Sequence, residues 1–198
     1  MRVGVLVSGT GSILEALLGA DLPIVLVAAD RPCRGLEIAE RAAVATELVD
    51  RAAHGGFGAA FDREGYTSEL VEVLGAYRLD LVAMAGFGTV LSRHVHDVYP
   101  GRILNTHPSL LPAFPGWHAV SEALAAGVTA TGCTVHLATL ETDAGPVLAQ
   151  EEVPVLPGDT VETLHERIKQ TERRLYPATL RRFIGELEAS SVAARSRR

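Results

Sequence analysis

Short β-branched apolar runs alternating with helical spacing dominate the first 85 residues. "RVGVLV" leads through the tight turn "SGTGS" into "ILEALLGA", and "IVLVAAD" precedes "GLEIAERAAVA". "TELVD" is followed by a Gly-rich loop, "GFGAAFDREG", and the helix "YTSELVEVLGAYR", with Leu70, Val73, Leu74 and Tyr77 on one face. "LDLVAMAG" closes the series. Runs apolar at nearly every position are strands buried on both faces, and a helix after each returns the chain for a parallel neighbour. The expected fold is therefore α/β: a Rossmann-like, mostly parallel central sheet with helices on both faces.

After Gly86 the rhythm changes. "FGTVLSRHVHDVYPG" reads as a loop and short helix, "RILNTH" as a strand, and "HAVSEALAAG" as a helix reached through a Pro-rich loop. "TGCTVHLAT" and "PVLAQEEVPV" read as two strands joined by "LETDAG", which makes the C-terminal extension mixed. A last helix spans "DTVETLHERIKQTERRLYPATLRRFIGEL", with Asp159 and Glu162 spaced for a capping box and Pro177 placed to kink or restart it. No repeat or linker divides the chain. One domain is expected over 1–186, with a flexible basic tail over 187–198.

Composition narrows the partners. With 198 residues, 47% of them hydrophobic, a sizeable core is affordable, and a formal net charge of −6 argues against a surface that tracks nucleic acid. Cys33 and Cys133 lack metal or redox spacing, which suits a reducing cytoplasm. The N-terminus reads as a core strand rather than a signal peptide, and no run is long enough to span a bilayer. No histidine pair has zinc-protease spacing, so no metal is expected. His54, His94, His96 and His165 read as exposed; His118 and His136 stand closer to the motifs below.

Two motifs carry chemistry. "SGTGS" is a strand-to-helix turn whose free N–H groups favour an anion at Gly11 and Ser12. It lacks the third glycine of a dinucleotide site and the lysine of a P-loop, so a single phosphate is the better guest, and a plain turn is the alternative. In "RILNTHPSLLPAFPG", Asn105 and His107 lie two apart at the end of a strand and so face the same way. An amide and an imidazolium side by side suit a developing oxyanion, at the sheet end where open α/β folds bind ligands. Pro108 and Pro112 forbid helix behind them, so the pair stays uncovered. Asp143 in "LETDAGPVL" offers a carboxylate partner, although Asp is also a common turn residue.

"SGTGS", "AGF", "LNTHPSLLPAFPG", "TGCTVH", "TDAGPVLAQ" and "ERIKQTERRLYP" together resemble the folate-dependent formyltransferases, in the same order and over essentially the whole chain up to the tail. The phosphate turn and the length resemble the branch that moves the formyl group of 10-formyltetrahydrofolate, a cosubstrate, onto the amine of glycinamide ribonucleotide in purine synthesis. The resemblance implies a phosphate- and nucleotide-binding half over about 1–100, and a catalytic and folate-binding half over about 101–186. It makes Asn105, His107 and Asp143 the catalytic trio. It carries the ribonucleotide site to Gly11, Ser12, Ile13, Lys169 and Glu172. It carries the folate site to Arg63, Gly88, Thr89, Val90, Leu91, Asn105, Thr139, Leu140 and Glu141. Ile13 stands where the family usually has Asn, and Gly88-Thr89 stand where many relatives have Met-Arg. Lys169, where many relatives have Gln, offers compensation for Ile13. Partners would be these small molecules, with no nucleic acid or membrane, in a monomer or homodimer. Formyl transfer to another amine, such as an amino-sugar nucleotide, is the nearest competing reading. Formylation of methionyl-tRNA, which in the family goes with an additional C-terminal domain, and hydrolysis of the folate, which goes with a regulatory domain ahead of the catalytic one, fit less well. A non-enzymatic phosphate-metabolite binding module is the competing reading of a different class.

Overall fold

Each apolar run becomes a strand of one sheet in the computed structural model, which describes residues 1–195. The strands are β1 (Val3–Val7), β2 (Ile24–Ala29), β3 (Ala45–Leu48), β4 (Leu81–Met84), β5 (Ile103–His107), β6 (Ala130–Leu137) and β7 (Val147–Pro154). Their spatial order is β3-β2-β1-β4-β5-β6-β7. The first five are mutually parallel, while β6 runs antiparallel to β5 and β7 antiparallel to β6. The mixed extension expected from the second half of the sequence is thus a hairpin added to the edge of a parallel sheet.

Alternation along the strands separates two apolar layers. Val3, Val5 and Val7 of β1 and Leu104 of β5 face α1 (Ser12–Leu18), α2 (Arg34–Arg41) and α6 (Val161–Arg195). Leu6 and Ile103 face α3 (Arg63–Ala76) and α4 (Arg93–Val98) on the other side. The first layer joins β1 and α1 to β5, β6 and α6, so one core underlies both halves of the chain. The short helix α5 (Ala119–Ala125) packs over β6 and the start of α6.

Helix α6 differs from expectation in three ways. Its cap is Thr160, whose hydroxyl accepts from the Thr163 N–H at 3.3 Å; Asp159 lies one residue further out and takes both arms of Arg167 at 2.7 Å. The helix continues across Pro177, because Leu164, Ile168, Glu172, Tyr176, Leu180 and Ile184 recur every four residues as a buried ridge that holds both sides to the core. Finally, 187–195 extend this helix rather than forming a tail, and 196–198 lie outside the described residues. Among the described residues no helix is long and apolar enough to cross a membrane.

Candidate active site

Strand β5 ends at His107, so Asn105 and His107 do project from one face, the same face as Ile103. Antiparallel pairing sets His136 of β6 directly opposite Asn105. The Asn105 amide nitrogen lies 3.3 Å from His136 Nε2. His136 Nδ1 is 3.0 Å from the Leu137 carbonyl oxygen, which can only accept. Nδ1 therefore carries the proton, and Nε2 accepts from the Asn105 NH2 group. Burial holds the His136 pKa below its ordinary value, which keeps this tautomer neutral.

His107 is 5% exposed. Its Nε2 donates to the Phe114 carbonyl at 2.8 Å, and its Nδ1 lies 3.3 Å from Asp143 Oδ2. Asp143 reaches this position from the β6–β7 hairpin loop and accepts from the Gly116 N–H at 2.8 Å. Its other oxygen lies 3.6 Å from His136 Nε2. Since both of those atoms are acceptors, Asp143 Oδ1 keeps a lone pair for an incoming donor. Phe114 and Asp143 both have left-handed backbone, with φ of 52° and 56°. Two strained residues on either side of one imidazole are the kind of local cost that the surrounding structure must hold in place.

The proline-rich loop is tied down from below. The Thr134 hydroxyl donates to Ser109 O and accepts from Leu111 N–H, and Gln150 Nε2 donates to Leu111 O at 2.7 Å. The Leu111–Pro112 bond is cis. These contacts leave the Asn105–His107 face open onto a cleft of about 420 Å³, within the range typical of small-molecule sites.

Gly11, Ser12 and Ile13 line the cleft, as do Lys169 and Glu172 of α6. Gly11 caps α1 with φ 74°. The Ile13 side chain packs into the core, so this position offers the cleft little beyond backbone. Glu172 is 7% exposed, and burial raises its carboxyl pKa against the opposing pull of the Thr106 hydroxyl, Lys169 and Arg173. Gly88, Thr89, Val90, Leu91 and Thr139 line it too. Thr89 is nearly sealed, and its hydroxyl donates to Asp30 at 2.7 Å and accepts from Arg51 at 3.1 Å. Its side chain therefore serves a buried carboxylate rather than the cleft.

Three expected residues do not line the cleft. Arg63 is exposed at the first position of α3, and Leu140 and Glu141 point outward from the hairpin loop. Conversely, His96 and His165 are half-buried and do line it, whereas His118 is exposed and does not. Trp117 lines the cleft mouth, although nothing in the motifs drew notice to it. Among the described residues no group of three or more His, Cys, Asp or Glu is placed to hold a metal.

The formyl transferase family model matches residues 1–180. The chain belongs to the formyl transferase family. Among its relatives, phosphoribosylglycinamide formyltransferase of Mycobacterium tuberculosis is 50% identical over 184 residues, covering 90% of this chain and 83% of the relative. The Escherichia coli protein of the same name is 37% identical over 203 residues, covering 98% and 92%. The crystal structure of glycinamide ribonucleotide transformylase 1 from Symbiobacterium toebii superposes with a TM-score of 0.85 at 43% identity, over 92% of this chain and 87% of that one. As a formyl transferase, the chain is a one-carbon transferase with a folate-type formyl donor.

Proposed function

We propose that this formyl transferase moves the formyl group of 10-formyltetrahydrofolate to the amine of glycinamide ribonucleotide, giving formylglycinamide ribonucleotide and tetrahydrofolate. One observation carries the reading: Asn105, His107 and Asp143 open onto one cleft that the Gly11–Ser12 turn and Lys169 also line. The turn and Lys169 take the phosphate, and the buried carboxyl of Glu172 receives the glycinamide end. The Gly88–Leu91 segment and Thr139 take the folate along their backbone edges. Asn105 uses one amide hydrogen on His136 and aims the other at the formyl oxygen. His107, fixed by Phe114 at Nε2, carries its second proton on Nδ1, 3.3 Å from Asp143 Oδ2, and shares that N–H with the same oxygen. Both donors strengthen as the amine nitrogen bonds to the formyl carbon and negative charge collects on oxygen. Asp143 Oδ1 takes the proton released by the amine, and His107 supplies one to the departing folate nitrogen, so the balance closes without a covalent enzyme intermediate. Both cysteines are free thiols, in keeping with a reducing cytoplasm.

The test is to mix the protein with glycinamide ribonucleotide and a formylfolate and follow the absorbance change as deformylated folate appears. Turnover that collapses in Asn105→Ala and His107→Ala supports the reading. Binding of the ribonucleotide with no spectral change would instead point to a metabolite-binding module.

A further inference from the structure

Trp117 is 76% exposed yet lines the cleft mouth. Its ring lies over Gly88 so closely that a Cβ there would sit 2.7 Å from Cη2. On the same glycine, Arg31 Nη2 lies 3.6 Å from that Cβ position. Arg31 is held from below: Nε and Nη2 donate to the fully buried Asp30 at 3.0 and 3.3 Å, and Phe57 covers the guanidinium at 4.0 Å. Arg51 shares the same carboxylate through Thr89 and also lies against Phe57, at 4.5 Å. Two guanidinium groups thus answer one buried carboxylate and leave a positive charge uncompensated. Arg31 Nη1 has no hydrogen-bond partner among the described residues. An exposed aromatic face and a bare glycine thus line the cleft, and a braced cation with a free N–H edge lies just outside that lining, against the same glycine.

We infer that Trp117 and Arg31 are specificity residues for the formyl donor: Trp117 stacks on its benzoyl ring, and Arg31 pairs with the carboxylate of its glutamate. The inference rests on the folate reading of the cleft. It also accounts for Thr89, which turns away from the ligand because the cation is supplied from the loop after β2 instead. Gly88 is the residue that allows the arrangement, since any side chain there would displace the indole.

The experiment uses two stable donors, 10-formyl-5,8-dideazafolate and its pteroate counterpart, which lacks the glutamate. In steady-state kinetics with glycinamide ribonucleotide saturating, Arg31→Gln should lower the preference in kcat/KM for the glutamate-bearing donor about tenfold, the worth of one charge-assisted bond at a half-open site. Arg31→Lys should recover part of it. Trp117→Leu should raise KM for both donors, by several-fold, without changing their ratio. A folding defect in either variant would affect both donors alike, so the ratio reports Arg31 alone. An unchanged ratio in Arg31→Gln, or donor KM values within twofold of wild type in Trp117→Leu, overturns the assignment. Trp117 is the chain's single tryptophan, so its fluorescence gives a second readout that needs no turnover. Quenching by 5,8-dideazafolate that weakens in Arg31→Gln sustains the subsite even if glycinamide ribonucleotide proves not to be the acceptor; absence of quenching sinks it even if turnover is found.

Discussion

Glu172→Gln is expected to stabilise the folded chain at neutral pH while impairing the enzyme. Glu172 is buried beneath the cleft, and burial raises its carboxyl pKa more than Thr106, Lys169 and Arg173 lower it. The folded protein therefore keeps this proton to a higher pH than the unfolded chain does. Below the usual carboxyl pKa of about 4.3 both states are protonated and no penalty exists; as pH climbs from there to the raised folded value, the penalty grows, and above it the penalty stays at its full size. Removing a carboxylate from water costs several kcal/mol, of which one hydroxyl hydrogen bond and a nearby ammonium return a part. An amide that keeps the Thr106 contact is cheaper to bury, by about 2 kcal/mol net. For a chain of this size that corresponds to about 4–8 °C in Tm. Thermal unfolding of both proteins at pH 8 and pH 5 tests the claim: the glutamine protein should melt higher at pH 8, with the gap narrowing at pH 5. Adding glycinamide ribonucleotide should close or reverse the gap at pH 8, because ligand binding favours the protein that retains the carboxylate. A glutamine variant that melts lower at pH 8, or a gap of equal size at both pH values, would refute the argument.

Asn105→Ala should lower kcat by about 10²–10³ with little change in Tm, since it removes one oxyanion donor; steady-state rates and circular dichroism check both halves. His136→Leu deprives the Asn105 amide of its acceptor and should reduce kcat about tenfold, with partial recovery in His136→Gln, whose carbonyl can accept. The lowered His136 pKa adds a pH signature: the folded state binds its proton later than the unfolded state, so stability falls as pH drops below about 6.5, and His136→Gln should flatten that slope in denaturant titrations. Gly145→Ala drives a Cβ into the Leu137 carbonyl oxygen, so the hairpin loop must shift and carry Asp143 with it. Activity should fall at least a hundredfold while far-ultraviolet circular dichroism is retained.

The centre of the sheet was legible because buried parallel strands such as β1, β2 and β4 announce themselves as apolar runs, while β3 and β7 at the edges are half-exposed and read more weakly. The Asn105–His107 pair was legible from period-two geometry alone. His136 was not, because a histidine in an alternating strand looks the same whether it meets solvent or a partner amide; only strand register puts it opposite Asn105. The orientation of Thr89 was hidden for a similar reason. Sequence position fixes the backbone location of Thr89, but the direction of its hydroxyl is decided by Asp30, which lies 59 residues away in the chain and has to find partners because it is buried. The helical stretch 187–195 escaped because, after Leu187, its residues are mostly small or polar and carry no apolar period of their own. It continues a helix already anchored by the ridge from Leu164 to Ile184.

The change from parallel to antiparallel pairing at β5 is what makes the site possible. A further parallel strand would need a crossover of a dozen or more residues, usually a helix packed on a face of the sheet, and could not place its residues in antiparallel register with β5. An antiparallel β6 instead sets His136 directly opposite Asn105, and the loop that leaves β6 beside Leu104 brings Asp143 to His107. Asn105 and His107 are thus held by a rigid strand, while Asp143 rides on a loop whose close approach to Leu137 requires Gly145. The division has a mechanical consequence: displacing the loop removes the proton acceptor and leaves the oxyanion donors in place. Variants of Gly145 should therefore behave kinetically like Asp143→Asn and unlike Asn105→Ala, and a Gly145→Ala protein whose defect compounds fully with that of Asp143→Asn would show that the loop does something else.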